Sequence, residues 1–233
     1  MPFSASQVPI VRPTQTIPSG LSPPLSFDSW YILKIYDPRY VVCRERRYSR
    51  RDGTLLQDEQ LWSLEAELKA ATCHHALGLQ IWEDDARLNC SEDLEPEAVG
   101  ELMYYRMAKW VWDDEVDAYQ VLNKTSLAGV GVPNFYGAGN LVLDDQRAIV
   151  PRVLVVEYIS DAVSLHNLQD SGDIGSLKAW HVEALEDVFR KVNKAGVTHQ
   201  DVDTHNLLIG PKRVVVVDFG QAYIRPRGST NKQ

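Results

Sequence analysis

Between Val197 and Gly220 the chain reads VTHQDVDTHNLLIGPKRVVVVDFG, a segment that sets several oxygen donors close behind a histidine. Asp201 follows His199 by two residues, Asn206 stands five residues later, and Asp218 twelve after that. A carboxylate on a loop can orient a hydroxyl and take up its proton. An amide oxygen and a second carboxylate are hard donors, and a site with few of them suits Mg²⁺, which fills its remaining positions with water or phosphate oxygens. Asp201 is therefore read as the group that orients a hydroxyl, and Asn206 and Asp218 as ligands converging on one metal. The plainer alternative makes Asp201 and Asp203 turn acids and Asn206 an Asx-turn or left-handed residue.

The elements around this segment must hold those groups in place. Residues 176–194 put Trp180, Val182, Leu185, Val188, Phe189 and Val192 at helical spacing, with Lys191 and Lys194 near the end and Gly196 as a natural residue beyond the C-cap. NLLIG and VVVVDFG read as two strands of a hairpin turned at Pro211-Lys212-Arg213. Upstream, Trp30–Tyr36 is a strand closed by Asp37-Pro38, with Lys34 unusual at the centre of so apolar a run. Residues 57–72 predict a helix with Leu61, Leu64, Leu68 and Ala71 inward. Residues 95–123 predict helix, broken in two near Trp112-Asp113, with Met103, Met107, Trp110, Val111, Val116, Tyr119 and Leu122 inward. Residues 129–145 contain glycines, Pro133 and short apolar runs that suggest short strands, and Val153–Ile159 is a buried strand. The order is strand, helices, strands, helix, hairpin, which makes the class α+β.

The His199-x-Asp201-x-x-x-x-Asn206 run, followed by Asp218-Phe219-Gly220, resembles the catalytic loop and metal-binding motif of the protein kinase-like fold. With WYILKIYDPRY, EVDAY, VPNFYG, VEYIS and HQDVDTHNLL, the chain from about 27 to 223 resembles the small kinase-like proteins of filamentous fungi. The resemblance implies a two-lobed fold that binds ATP with Mg²⁺ and transfers the γ-phosphoryl group to a hydroxyl on a small molecule or a protein. It makes Lys34 the phosphate-contacting cation and Glu115 its helical partner, although Asp114 and Asp117 on the same helix compete for that role. Glu157 and Ile159 would offer backbone groups to adenine, and Leu208 would pack under the purine. The implied organisation is a flexible Pro/Ser-rich tail over 1–26, an N-lobe over 27–158 with a helical insertion at 45–112, a minimal C-lobe over 159–225, and a tail over 226–233.

Departures from that pattern sharpen the reading. The glycine that precedes Lys34 is Gly20 alone, so no G-x-G-x-x-G cradle covers the phosphates. Gln200 and Asp203 stand where kinases of protein substrates carry Arg and Lys, a feature shared with the aminoglycoside and choline kinases. Thirteen residues follow Gly220, which leaves no A-P-E motif and no peptide-docking platform in this stretch. The alternative to an enzyme is a catalytically silent kinase-like binding or scaffold protein.

Composition limits the remaining classes. The 24 basic against 32 acidic residues leave a net charge of −8, so the reading expects no nucleic-acid partner and a phosphate site held locally rather than by a basic surface. Cys43, Cys73 and Cys90 form no C-x-x-C pair, and Cys73-His74-His75 points adjacent side chains in different directions, which argues against a disulfide scaffold or a zinc site. Neither a signal peptide nor an apolar run of membrane length is found, so the expectation is no membrane partner and a place in the cytoplasm or nucleus. Trp62, Trp82, Trp110 and Trp112 cluster in the insertion, where they pack internally or face a protein partner.

Overall fold

The computed structural model describes residues 6–14, 24–41, 44, 47–48, 55–57, 60–76, 95–142, 144 and 146–226. Cys43, Cys90, Trp82 and the acidic stretch 83–94 lie outside that set, as do residues 227–233 and the side chains of Cys73, His74 and His75. Two compact units divide the chain. The first comprises Met1–Val8, Lys34–Trp110 and Gly139–Val153, and the second Pro9–Leu33, Val111–Ala138 and Leu154–Gln233.

Strand β1 (Ile10–Val11) pairs antiparallel with β2 (Tyr31–Tyr36), Ile10 opposite Ile32 and Val11 opposite Tyr31. Pro9 and Pro13 flank β1, which a strand at a sheet edge tolerates because one row of its N–H groups needs no partner. The region expected as a tail over 1–26 therefore contributes an edge strand. The strands that follow are β3 (Arg47–Tyr48) and β4 (Leu55–Gln57), which pair with each other, then β5 (Phe135–Asn140) and β6 (Arg152–Glu157). The four-stranded sheet has the order β1-β2-β6-β5.

In the first unit, helix α1 (Leu64–Ala76) buries Ala66, Glu67 and Ala70, while Leu61 and Leu68 are exposed. The expected leucine face is thus the wrong one. Glu67 faces inward because it is a fully satisfied acceptor: Oε2 takes the Trp62 indole N–H at 2.8 Å and two guanidinium N–H groups of Arg147 at 3.2 Å, and Oε1 takes the Ile149 N–H at 3.0 Å. Arg147 also donates to Asp37 at 3.0 Å. Asp37 caps the 3₁₀ turn Pro38–Tyr40; burial pushes its carboxyl up, but hydrogen bonds from Arg39 and the charge of Arg147 outweigh this and hold it below the usual range. Arg44 pairs with buried Glu101 and lies 4.1 Å over the Tyr104 ring. Such pairs persist in an interior when each lone pair and proton is matched.

Helix α2 (Pro96–Leu122) is a single helix of 27 residues, not two. Neither Trp112 nor Asp113 removes a backbone donor, so nothing there breaks it. Its inward face runs through Ala98, Glu101, Tyr104 and Ala108, and later through Glu115, Ala118, Tyr119 and Leu122. Met103 and Trp110 point outward, Trp110 at 69% exposure.

The second unit carries β7 (Val163–Ser164), α3 (Leu165–Asp170), α4 (Ala179–Lys194), β8 (Val197–Thr198), β9 (Leu207–Ile209), β10 (Val214–Val216) and β11 (Tyr223–Ile224). β9 and β10 form the expected hairpin, with Leu208 opposite Val215, and β7 adds to its other side in the order β10-β9-β7. Val188 and Val192 of α4 are buried as expected, but Val182 is exposed and His181 takes the inward place, its Nδ1 accepting the Lys178 N–H at 2.9 Å. His181 is seven residues before Val188, two turns away on the same face, whereas Val182 lies about 100° around the helix. α4 ends at Gly196, whose φ of 89° is the left-handed turn-off that a glycine adopts freely. No helix among the described residues is long and apolar enough to cross a membrane.

Candidate functional site

β8 leads directly into the loop that holds His199 and Asp201. His199 is buried, and its ring joins two segments: Nε2 lies 2.9 Å from the Val217 carbonyl and Nδ1 accepts the Asp201 N–H at 3.3 Å. This pair of bonds assigns the neutral Nε2–H tautomer. Between them Gln200 adopts φ 60°. Asp203 then caps the 3₁₀ turn Thr204–Asn206 by accepting the His205 N–H at 2.9 Å, and that bond, with the His205 ring, holds its carboxyl below the usual range.

Asn206 closes the loop. Its Nδ2 donates to the Asp201 carbonyl at 3.0 Å and to Asp201 Oδ2 at 3.3 Å, and its own carbonyl accepts the Val217 N–H at 3.0 Å. Val217 is therefore gripped from both sides, by Asn206 at its N–H and by His199 at its carbonyl. The next residue, Asp218, has φ 64°, a conformation that aspartate adopts more readily than most residues yet that still stores strain. Sequence spacing joined Asp201, Asn206 and Asp218; the structure bonds Asn206 to Asp201 and to Val217, the residue before Asp218. His199 was legible as part of the motif, but its bridging role was not.

Beyond Asp218, Phe219 is fully buried among rings: Tyr119 at 5.3 Å edge-on and His199 at 4.7 Å, with Tyr119 in turn stacked on Phe135 at 5.8 Å. Burial raises the Tyr119 hydroxyl well above its ordinary range, as do the charges of Glu115 and Asp218, partly offset by a hydrogen bond from the Asp218 backbone. Gly220 leaves room for the two carboxylates: a Cβ there would lie 3.5 Å from Asp218 Oδ1, 3.7 Å from Glu115 Oε2 and only 2.6 Å from Val111 Cγ1.

Of the three acids competing on α2, Glu115 is fully buried, Asp117 is exposed and Asp114 is half-buried. Desolvation first, then the charges of Asp113 and Asp117, raise Asp114 to about 6. Lys34, 6% exposed at the centre of β2, belongs to the first unit, with Nζ 5.7 Å from the Tyr36 ring centroid. Glu157 ends β6, Ile159 is buried two residues on, and Leu208 sits mid-strand in β9. Among the described residues no group of three or more His, Cys, Asp or Glu side chains forms a metal cluster. The oxygen set of Asn206 and Asp218 fits a cation that takes its other ligands from water and phosphate.

No curated protein matches the sequence. Among solved structures, that of monomeric WbdD superposes with a TM-score of 0.40 at 16% identity, covering 63% of this chain and 30% of that one. The co-crystal structure of WbdD with a kinase inhibitor gives 0.39 at 16% identity, over 62% and 28%. This chain thus spans less than a third of the structures it matches. Residues 145–228, which contain Glu157, Asp201, Asn206 and Asp218, match the RIO domain, whose family comprises atypical kinases, and over that stretch the mixed α/β fold is kinase-like.

Proposed function

We propose that this protein is a phosphotransferase that binds ATP with Mg²⁺ and moves the γ-phosphoryl group to the hydroxyl of an acceptor, a small molecule or a protein. The observation that carries the reading is the double grip on Val217, which fixes Asp218 at a set distance along the chain from the bonded pair Asp201–Asn206. Asp201 orients the acceptor hydroxyl and receives its proton. Asn206 and Asp218 are the residues that would hold the cation, which would supply neutralisation of the phosphate charge. Lys34 supplies the fixed positive charge of the site, Glu115 is its helical counterpart, and the backbone at Glu157 and Ile159 with the side chain of Leu208 receives the adenine.

Thermal unfolding with and without millimolar MgATP tests this directly. Binding stabilises the fold by RT ln(1 + [L]/Kd), about 1.4 kcal/mol at ten times Kd, and Asp218→Ala abolishes the gain. Asp201→Asn keeps the nucleotide shift but loses ADP release in the presence of hydroxyl acceptors. Absence of any shift with the unaltered protein overturns the proposal.

A further inference from the structure

Arg213 is named in the sequence only as a turn residue between two strands, yet its guanidinium joins three segments of the second unit. Nη1 donates to the Gly129 carbonyl at 2.6 Å, and Nη2 donates to Glu157 Oε1 at 3.0 Å with Asp161 Oδ1 at 3.6 Å. The other oxygen of Glu157 accepts both the backbone and side-chain N–H of Asn134, at 3.0 and 2.8 Å. Every carboxylate oxygen of Glu157 is thereby engaged, and its backbone N–H bonds the Asn134 carbonyl at 2.9 Å. The hairpin turn closes on the same segment from below, since a Cβ at Gly210 would lie 3.1 Å from the Asp161 carbonyl. Past Asp161 the chain is tied to the hairpin again, Val163 opposite Ile209.

The stretch from Glu157 to Val163 is therefore clamped at both ends to the β9–β10 hairpin, and Arg213 is the clamp at the end nearest Glu157. We infer that Arg213, acting through Glu157, is a positioning residue that sets nucleotide-base selectivity. This rests on the nucleotide reading above, in which the backbone at 157–159 meets adenine. Adenine offers that backbone an amino donor and a ring acceptor, whereas guanine offers a carbonyl acceptor and a ring N–H donor, so a displaced backbone loses the preference between them. A planar fork whose two ends span the Gly129 carbonyl and the Glu157 carboxylate is only partly replaced by lysine, a compact ammonium without that fixed spread.

The test measures MgATP and MgGTP affinities of the full chain by titration calorimetry for the unaltered protein, Arg213→Met, Arg213→Lys, Glu157→Gln and Val216→Ala. Val216 is buried in the same hairpin, so its truncation loosens packing without touching the fork. The expectation is that Arg213→Met weakens ATP about tenfold and GTP much less, drawing the two affinities together, with Arg213→Lys and Glu157→Gln intermediate. Val216→Ala lowers Tm and leaves the ratio unchanged. A ratio in folded Arg213→Met or Arg213→Lys equal to that of the unaltered protein overturns the inference alone, as does an equal change in Val216→Ala. If the unaltered protein binds neither nucleotide, the phosphotransferase reading falls and this inference with it.

Discussion

The side-chain amide of Asn206 donates to both the main-chain carbonyl and the carboxylate of Asp201, at 3.0 and 3.3 Å. The residue read as a metal ligand thus also holds the residue read as the proton acceptor, and the two functions are mechanically joined. Asn206→Ala removes the donor from a partly buried carbonyl and lowers stability by about 1–3 kcal/mol, with loss of turnover. Asn206→Asp separates the two effects, because it sets a second carboxylate beside Asp201 where like charges raise the pair's proton affinity. A raised native pKa means stability that is present at low pH and lost as pH rises. The deficit of Asn206→Asp in Tm is therefore larger at pH 7.5 than at pH 4.5, whereas that of Asn206→Ala changes little, and equal deficits at both pH values would contradict the contact.

How much of this was legible beforehand follows from how local each interaction is. The loop, the hairpin and the α4 terminus were readable because their signals sit within a few residues: the His199–Asn206 spacing, the turn at 211–213, and Gly196. The inward face of α1 was not, because Glu67 is buried by a partner 80 positions away, Arg147, which hydrophobic periodicity cannot register. The same holds for Glu101 on α2, matched by Arg44, and for Glu157, matched by Arg213. Paired buried charges invert the polarity rule on which helix faces are read. β1 was missed for the opposite reason: its prolines argue against a strand, yet an edge position removes their cost.

Asp114 yields a stability effect with a defined pH window. Its carboxyl titrates at about 6 in the fold against 3.8 in the unfolded chain. The native state thus keeps a proton that the unfolded state has already released. Stability falls as pH rises from about 4 to about 6, and the cost is fully present above that. Asp114→Asn removes the cost, and because the group is only half-buried the full shift overstates it; about 1 kcal/mol of gain at pH 7 is expected after solvent screening. Thermal scans at pH 7.5 and pH 4 check the sign: the variant is the more stable at the first and equal to the unaltered protein at the second. A gain of the same size at both would assign the effect to something other than ionisation.

Gly220 is required by space rather than by backbone conformation, since its φ is not among the positive values in the chain. A methyl group there would come within 2.6 Å of Val111 Cγ1, well inside contact distance, and would crowd the carboxylates of Asp218 and Glu115. Val111 is branched at Cβ and has few rotamers with which to withdraw. Gly220→Ala accordingly destabilises the fold by about 1–3 kcal/mol through overpacking and displaces Asp218, so that the MgATP-induced rise in Tm shrinks. Pairing it with Val111→Ala vacates the colliding position. The double variant recovers most of the lost nucleotide shift if steric pressure is the cause, while Val111→Ala alone lowers stability and leaves the nucleotide shift intact. Failure of the second substitution to restore the shift would place the requirement for glycine in the backbone instead of the contact with α2.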